Sequence, residues 1–254
     1  MKKSELINFL NQRYNFSNQE EWDNCGVSPQ SFCDEEISKV FISLDMNWDA
    51  YHKAINQGCN VIISHHPIII DEQQELINEN KKLLINALQN KQVINIALHT
   101  CFDRDKFGTS YLVAKKITNS LSIDKMVNLS HNPYLLIIYL TDFITVNDLI
   151  GLLNVKSLRY LNVQTKQIIK TICIGAGSCS GMLEDVIANK IDCFLTGDIK
   201  WHGYLDGLDN NVVMIDINHS IERVFIDAIY DLLARNLPKL QMVKDSSLIE
   251  IINK

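Results

Sequence analysis

The chain of 254 residues lacks any apolar run long enough to cross a membrane, and its first residues lack the hydrophobic stretch of a signal peptide. It also lacks an excess of basic residues, since 24 Lys and Arg stand against 30 Asp and Glu, for a formal net charge of -6. Proteins that bind nucleic-acid backbones broadly carry a basic surface. These absences predict a cytoplasmic protein with no membrane contact, and they argue against nucleic acid as a partner.

The seven cysteines never form a Cys-x-x-Cys pair, the spacing that is typical of structural zinc sites and dithiol redox sites. They are scattered, and most lie in or beside apolar runs, so we expect reduced thiols and no disulfides. The chain also lacks a complete GxGxxG or Walker motif. Gly175-Ala176-Gly177-Ser178 is only a partial phosphate-binding pattern.

Hydrophobic residues make up 46% of the chain and charged residues 21%, enough to bury a large core in one or two domains. The order of strand 40–44, helix 50–57 and strand 61–64 indicates parallel strands joined by a right-handed crossover. A weakly similar order recurs over 171–195. We therefore predict an α/β fold of two similar lobes that face one another, with mixed, mostly parallel sheets and a polar connector at 120–132.

Ser64-His65-His66-Pro67 follows the apolar run 61–63 and is the most informative motif. Neighbouring side chains of an extended strand point to opposite faces, so the two imidazoles can share one metal only where the strand has ended. Pro67 predicts that end. The other interpretations are a pair of adjacent metals, or a strand end with two hydrogen-bonded histidines.

Further candidate ligands follow other predicted strands, and ligands of such sheets gather at the carboxyl ends of strands. Asp103 comes after the strand at 92–98, and His219 and Glu222 share one face of a first helical turn. Each alone is explained by a loop or a helix start. Their convergence with the histidine pair predicts a dinuclear metal centre at strand ends between the lobes.

Three more polar residues occupy strand ends. His99 is either a proton-transfer group near the metals or a buried histidine satisfied by the backbone. Asp198 and His202 lie at the matching edge of the second lobe, where they would either face the metals or form a turn and a helix cap.

The motifs occur in an order that resembles a known family, the NIF-three-like proteins (NGG-one interacting factor three), often labelled GTP cyclohydrolase I type 2 homologues. The match covers nearly the whole chain. The motifs that carry it are Trp22-Asp23-Asn24-x-Gly26, Leu44-Asp45, Ser64-His65-His66-Pro67, His99-Thr100-x-x-Asp103, Gly175-Ala176-Gly177-Ser178, Thr196-Gly197-Asp198-x-x-x-His202 and the late His/Glu pair.

The resemblance implies two divalent metal ions, with His66 and Asp103 on one, His65 and His219 on the other, and Glu222 bridging both. Zinc, iron, manganese and nickel all suit such ligands. It also implies a toroidal homohexamer and a final helix that returns to the first lobe. The first lobe would then contain 1–125 plus 217–254, and the second 126–216, without the inserted domain that some members carry.

One spacing departs from the family pattern. The family usually places its late histidine four residues before the glutamate, whereas His219 is three before Glu222 and Asn218 occupies the four-back position. We favour His219 as the ligand, because residues three apart also share a helical face. A second departure puts Cys101 and Phe102 where the family usually has Asn and Leu.

The function that this resemblance implies is metal-dependent hydrolysis of GTP or a related purine nucleotide. Two ions would share a water molecule of lowered pKa, and attack at the imidazole carbon of guanine would open the ring while His99 or His202 moves protons. The alternative is a non-catalytic, metal-binding oligomeric scaffold or regulatory protein. Nothing in the chain independently selects guanine.

Overall fold

The computed structural model describes residues 1–70, 78–247 and 249. Internal contacts divide the chain into two units. The first contains Met1–Asp105 and Arg223–Ser247, and the second contains Lys106–Glu222. These bounds differ from the predicted ones near 125 and 217.

Both units combine helices with a mixed sheet. The helices are α1 Lys3–Tyr14, α2 Trp48–Asn56, α3 Glu79–Asn90, α4 Thr100–Asp103, α5 Thr109–Ile117, α6 Val146–Leu152, α7 Leu183–Ala188, α8 Trp201–Asp209 and α9 Val224–Asn236. The strands are β1 Gly26–Ser28, β2 Val40–Ser43, β3 Val61–Ser64, β4 Ile94–Ala97, β5 Ile123–Asn128, β6 Leu136–Thr145, β7 Arg159–Tyr160, β8 Ile168–Ile174, β9 Cys193–Thr196, β10 Val213–Asp216 and β11 Met242–Lys244.

The first unit is built on a sheet with the strand order β1-β4-β3-β2-β11. Strands β4, β3, β2 and β11 run parallel, and β1 pairs with β4 in the antiparallel direction. The predicted strand-helix-strand unit is confirmed, because β2 and β3 pair in parallel on either side of α2. The carboxyl ends of β2, β3 and β4 therefore meet at one sheet edge.

The core of the first unit lies on both faces of this sheet. On one face, Phe41 and Ile62 pack with Leu84 and Leu88 of α3. The strands are buried along their whole length, as expected where helices cover both faces of a parallel sheet. Helix α9 contacts β2 and β11.

The second unit has a sheet with the order β5-β6-β8-β9-β10-β7. Strands β8, β9 and β10 are parallel, whereas β5, β6 and β7 add antiparallel pairs at the two sides. Its core contains Phe194, Met214 and Ile137. The predicted α/β class with mixed sheets is confirmed in both units.

The local predictions succeed in the apolar centre of each sheet and fail at the edges. Residues 120–132, predicted as a connector, contain β5, which pairs with β6. The prediction was wrong because a strand at the edge of a sheet can be polar, and every residue of β5 is half-buried or exposed. The helical spacing of leucines within 72–89 predicts a helix there. The structure has α3 from Glu79, and residues 72–77 lie outside the described residues.

Among the described residues, we find no helix with the length and hydrophobicity that a bilayer span requires.

Truncating Ile62 tests the buried sheet of the first unit. Ile62 is fully buried, so Ile62→Ala should lower the free energy of unfolding by about 2–5 kcal/mol, as measured by urea denaturation. The matched control is Ile168→Ala in β8, since Ile168 is 53% exposed and its loss should cost at most about 1 kcal/mol. Equal losses for the two variants would contradict the assigned core.

Candidate metal centre

The histidine pair lies where β3 stops being a strand. The backbone N–H groups of His65 and His66 both donate to the carbonyl oxygen of Leu44, at 3.0 and 2.9 Å. The Ser64 hydroxyl donates to the His66 carbonyl at 2.8 Å. These bonds turn the chain, and the two imidazole rings lie together with centroids 4.9 Å apart. The strand has ended, as the shared-site interpretation requires.

Each imidazole of this pair has its Nδ1 atom fixed by a protein acceptor. His65 is fully buried and its Nδ1 lies 2.9 Å from the carbonyl oxygen of Leu98. His66 Nδ1 lies 2.7 Å from Oδ1 of Asp45. Because a carbonyl or carboxylate oxygen only accepts, Nδ1 carries the proton and Nε2 carries the lone pair of the neutral ring. This is the usual arrangement of histidines that bind metals.

A third histidine is held in the same way. His99 precedes α4, and its Nδ1 lies 2.8 Å from Oδ1 of Asp23. Its ring centroid is 5.2 Å from that of His65 and 5.3 Å from that of His66. The backbone N–H of His99 donates to the Cys25 sulfur at 3.3 Å. His99 is thus anchored through both its ring and its backbone.

Asp23 is the buried carboxylate that orients His99. Burial alone would raise its pKa, but hydrogen bonds from His99 and from the side chain and backbone of Thr100 outweigh burial and hold the pKa of Asp23 well below its usual value. Asp23 therefore stays ionised at neutral pH, and its carboxylate holds the His99 ring in one orientation.

The first unit brings three imidazoles and one carboxylate together. One ligand atom each from His65, His66 and His99 lies within 4.8 Å of the other two. Asp103 in α4 places Oδ1 3.6 Å from Nε2 of His65. A cation or a proton shared between His65 Nε2 and Asp103 Oδ1 would stabilise these two polar atoms at this separation.

The second unit presents the late histidine and glutamate in a 3₁₀ turn at His219–Arg223. His219 Nε2 lies 2.9 Å from Oε2 of the buried Glu222, and its Nδ1 lies 2.6 Å from Asp198. Asn218 uses its side-chain oxygen to accept the N–H of Ser220. His219 therefore lies directly beside the glutamate, and its role as the metal ligand stays a prediction.

Glycines make room for Glu222. Gly177 has a φ of +70°, and a Cβ built there would collide with Oε1 of Glu222 and lie 3.1 Å from its Cδ. At Gly197 a Cβ would come within 3.0 Å of the Gly177 carbonyl and 3.1 Å of the His219 nitrogen. Gly177 of the partial phosphate-binding pattern therefore packs against the Glu222 carboxylate.

Asp216 at the end of β10 ties together the turns that carry Asp198 and His219. Its buried carboxylate pairs with Arg159 and accepts the N–H of Ile199 at 3.2 Å and of Asn218 at 2.8 Å. Both turns contain a residue with positive φ, at Asp198 and Asn218. One ionic group thus stabilises two backbone turns that non-glycine residues adopt reluctantly.

The sequence missed the anchoring roles of Asp23, Asp45 and Asp216. A usable signal exists for Asp45, which comes two residues after the end of β2 as His66 comes two residues after the end of β3, and so falls at the same sheet edge. His202 is exposed at the second residue of α8, and its predicted proton-transfer role stays a prediction.

The family model for Duf34/NIF3 (NGG1p interacting factor 3) matches residues 1–252. The chain belongs to this family. Two similar relatives are both named GTP cyclohydrolase 1 type 2 homolog. The relative from Ureaplasma parvum serovar 3 is 32% identical over 248 residues, covering 92% of this chain and 90% of its own. The relative from Campylobacter jejuni is 33% identical over 246 residues, covering 96% and 95%.

Solved structures of NIF3-like proteins share the fold. Staphylococcus aureus hypothetical protein SA1388 superposes with a TM-score of 0.80 at 27% identity, covering 97% of each chain. A Bacillus cereus protein related to NIF3 gives a TM-score of 0.82 at 15% identity, over 100% of this chain and 99% of the other. The second likeness shows the fold alone.

Replacing Gly177 tests whether the NIF3 chain needs space beside Glu222. Gly177→Ala should displace the Glu222 carboxylate and weaken metal binding, and the positive φ should cost about 1–3 kcal/mol of stability. Binding is measured by competition with a chromogenic chelator, and stability by thermal unfolding. Gly181→Ala is the control, since a Cβ there meets nothing within 4 Å. Unchanged metal affinity in Gly177→Ala would contradict this role.

Proposed function

We propose that this NIF3-family chain is a metal-dependent hydrolase whose centre holds two divalent ions. The observation that carries the proposal is the common setting of four histidines, His65, His66, His99 and His219. In each, Nδ1 lies against a protein oxygen, at 2.9, 2.7, 2.8 and 2.6 Å respectively. A histidine that binds a metal almost always donates its other ring N–H to a carboxylate, a carbonyl or water, and each of these four has such an acceptor at Nδ1.

The donor set fits divalent transition metals. We propose that His66 and Asp103 bind one ion, that His65 and His219 bind the other, and that Glu222 bridges both. Imidazole nitrogens and carboxylate oxygens suit zinc, iron, manganese or nickel. The pair of His219 and Glu222 supports this, because an imidazole nitrogen and a carboxylate oxygen 2.9 Å apart could both bind one cation.

Two bound ions would lower the pKa of a water molecule towards neutrality and polarise the bond under attack. The chain supplies orientation, since buried or anchored side chains lose little further freedom when a substrate binds. Proton transfer needs a separate titratable group. His202, which is exposed on α8, is our candidate for this step, together with His99.

The substrate class that we propose is a purine nucleotide such as GTP. The names of the relatives from Ureaplasma parvum and Campylobacter jejuni, GTP cyclohydrolase 1 type 2 homolog, support it. Hydrolytic attack at the imidazole carbon of guanine would open that ring. We also propose a toroidal homohexamer, an assembly that light scattering of the purified protein tests directly.

The test combines metal analysis with turnover. Wild-type protein, metal-free protein and the His66→Ala variant are incubated with GTP. Ring opening is measured by the decrease in guanine absorbance and by chromatography of the products. We expect turnover only in metal-bound wild type, with a loss of at least about 100-fold in His66→Ala, because removing a ligand disrupts the ion more than removing an outer partner does. His131→Ala is the control, since the His131 side chain is 57% exposed.

Two outcomes would overturn the proposal. If the protein binds metal but turns over none of a panel of nucleotides, phosphoesters and peptides, the chain acts as a metal-binding scaffold and not as a hydrolase. If purified protein binds no divalent metal under any loading condition, the proposed centre itself is wrong.

A further inference from the structure

Two thiols of the first unit meet beside His99. The sulfur of Cys25 accepts the backbone N–H of His99 at 3.3 Å and lies 3.3 Å from Oδ2 of Asp23. The Cys101 thiol is hydrogen-bonded to that of Cys25, and this bond together with burial raises the pKa of Cys101 well above its usual value. Both side chains are free thiols in this structure. The proposed hydrolysis uses neither of them.

The backbone pairing accounts for this meeting without reference to the side chains. Strand β1 pairs with β4 so that Gly26 lies opposite Ala97. Cys25 comes directly before Gly26, so the antiparallel register carries it to the point where the chain leaves β4 and enters α4. Cys101 is the second residue of α4. The fold therefore places two cysteines from distant parts of the chain side by side.

We propose that Cys25 and Cys101 are a redox-active dithiol, which a peroxide oxidises to a disulfide and a dithiol reductant restores, and that the disulfide weakens metal binding at the neighbouring histidines. The inference goes beyond the proposed function, and only its effect on metal binding rests on that function. Disulfides of reducing compartments are usually transient and redox-sensing.

The two cysteines differ in exposure, which assigns their roles. Cys25 is half-buried, and with Pro67 and Asn95 it lines a cavity of about 350 Å³, which is far larger than a peroxide molecule. Cys101 is 1% exposed. Redox-sensing cysteines are accessible and often lie beside a second cysteine that resolves the oxidised form. Cys25 is therefore the thiol that reacts first, and Cys101 is the one that resolves it.

The reaction consumes one peroxide for each disulfide. The Cys25 sulfur attacks one oxygen of hydrogen peroxide and breaks the O–O bond, which gives a sulfenic acid and one water molecule. The Cys101 sulfur then attacks the Cys25 sulfur, forms the S–S bond and releases a second water. The two thiol hydrogens end in these waters, and the two sulfurs supply the two electrons that reduce the peroxide.

The disulfide would act on the metal centre through two contacts. Bonding to Cys101 draws the Cys25 sulfur away from the His99 N–H and from Asp23, the carboxylate that orients the His99 ring. It also pulls on α4, in which Asp103 follows Cys101 by two residues. Disturbing the groups around a metal ligand typically costs about 10–100-fold in metal affinity.

The first experiment detects the disulfide by mass. A Cys33→Ser background is used, because Cys33 is exposed and shares the tryptic peptide 14–39 with Cys25. Reduced protein is treated with hydrogen peroxide, quenched with N-ethylmaleimide and digested. We expect the loss of two hydrogen atoms and a cross-link between peptides 14–39 and 92–104, and dithiothreitol should reverse both.

Two variants in the same background separate the two roles. In Cys101→Ala, peroxide should leave Cys25 as a sulfenic acid that dimedone labels, because the resolving thiol is gone. In Cys25→Ser, Cys101 should stay a thiol, because burial shields it. The serine hydroxyl can still accept the His99 N–H, so Cys25→Ser keeps this contact if Cys101→Ala fails to fold.

The second experiment measures zinc affinity by competition with a chromogenic chelator, after peroxide or reductant has been removed by desalting. We expect the oxidised Cys33→Ser protein to bind zinc about 10–100-fold more weakly than its reduced form. The affinity of the Cys25→Ser variant should be the same before and after peroxide.

The outcomes distinguish this inference from the proposed function. Peroxide-treated protein in which Cys101 remains a thiol, or in which Cys25 joins a different cysteine, would overturn the inference. Equal zinc affinities of the oxidised and reduced forms would overturn it as well. If the reduced protein binds no metal, the proposed function fails together with the effect on metal binding, whereas the mass measurement still decides whether the dithiol exists.

Discussion

The candidate metal-binding side chains of each unit depend on fixing one nitrogen of each imidazole. A histidine on a surface loop samples several rotamers and two tautomers, and it must lose that freedom before it can bind an ion. Here the cost is met during folding, because Leu98, Asp45, Asp23 and Asp198 each bind an Nδ1. The orientation of the Nε2 atoms is therefore a property of the folded chain.

The sheet of the first unit explains why its own groups, Asp45, His65 and His66, can meet. Parallel strands place their carboxyl ends at one edge of the sheet. His65 is the first residue after β3, and Asp45 is the second residue after β2. That much could be predicted from the sequence, because apolar runs mark the strands and Pro67 marks where one stops. The fold class, and the candidate ligands that follow strands, could be predicted from the sequence for this reason.

The anchoring contacts could not be predicted in the same way. Asp23 reaches His99 across 76 positions of the chain, and no local pattern encodes a pairing of that range. The short edge strands could not be predicted for a related reason. Strands β1, β7 and β11 have only two or three residues, too few to show the alternation of side chains that marks a strand. The polar strand β5 was predicted wrongly because it is held by backbone pairing with β6, and the pattern of its side chains does not indicate that pairing.

The space beside Gly177 has a consequence for inheritance. Every amino acid other than glycine carries a Cβ, and at this position the Cβ itself is what meets the Glu222 carboxylate. The charge, polarity and hydrophobicity of the replacement side chain therefore matter less than the presence of its Cβ. Any missense change of that codon, even to alanine, affects the same carboxylate, so a lineage that lost this glycine would need a further change that moves the residue-177 backbone or Glu222 away.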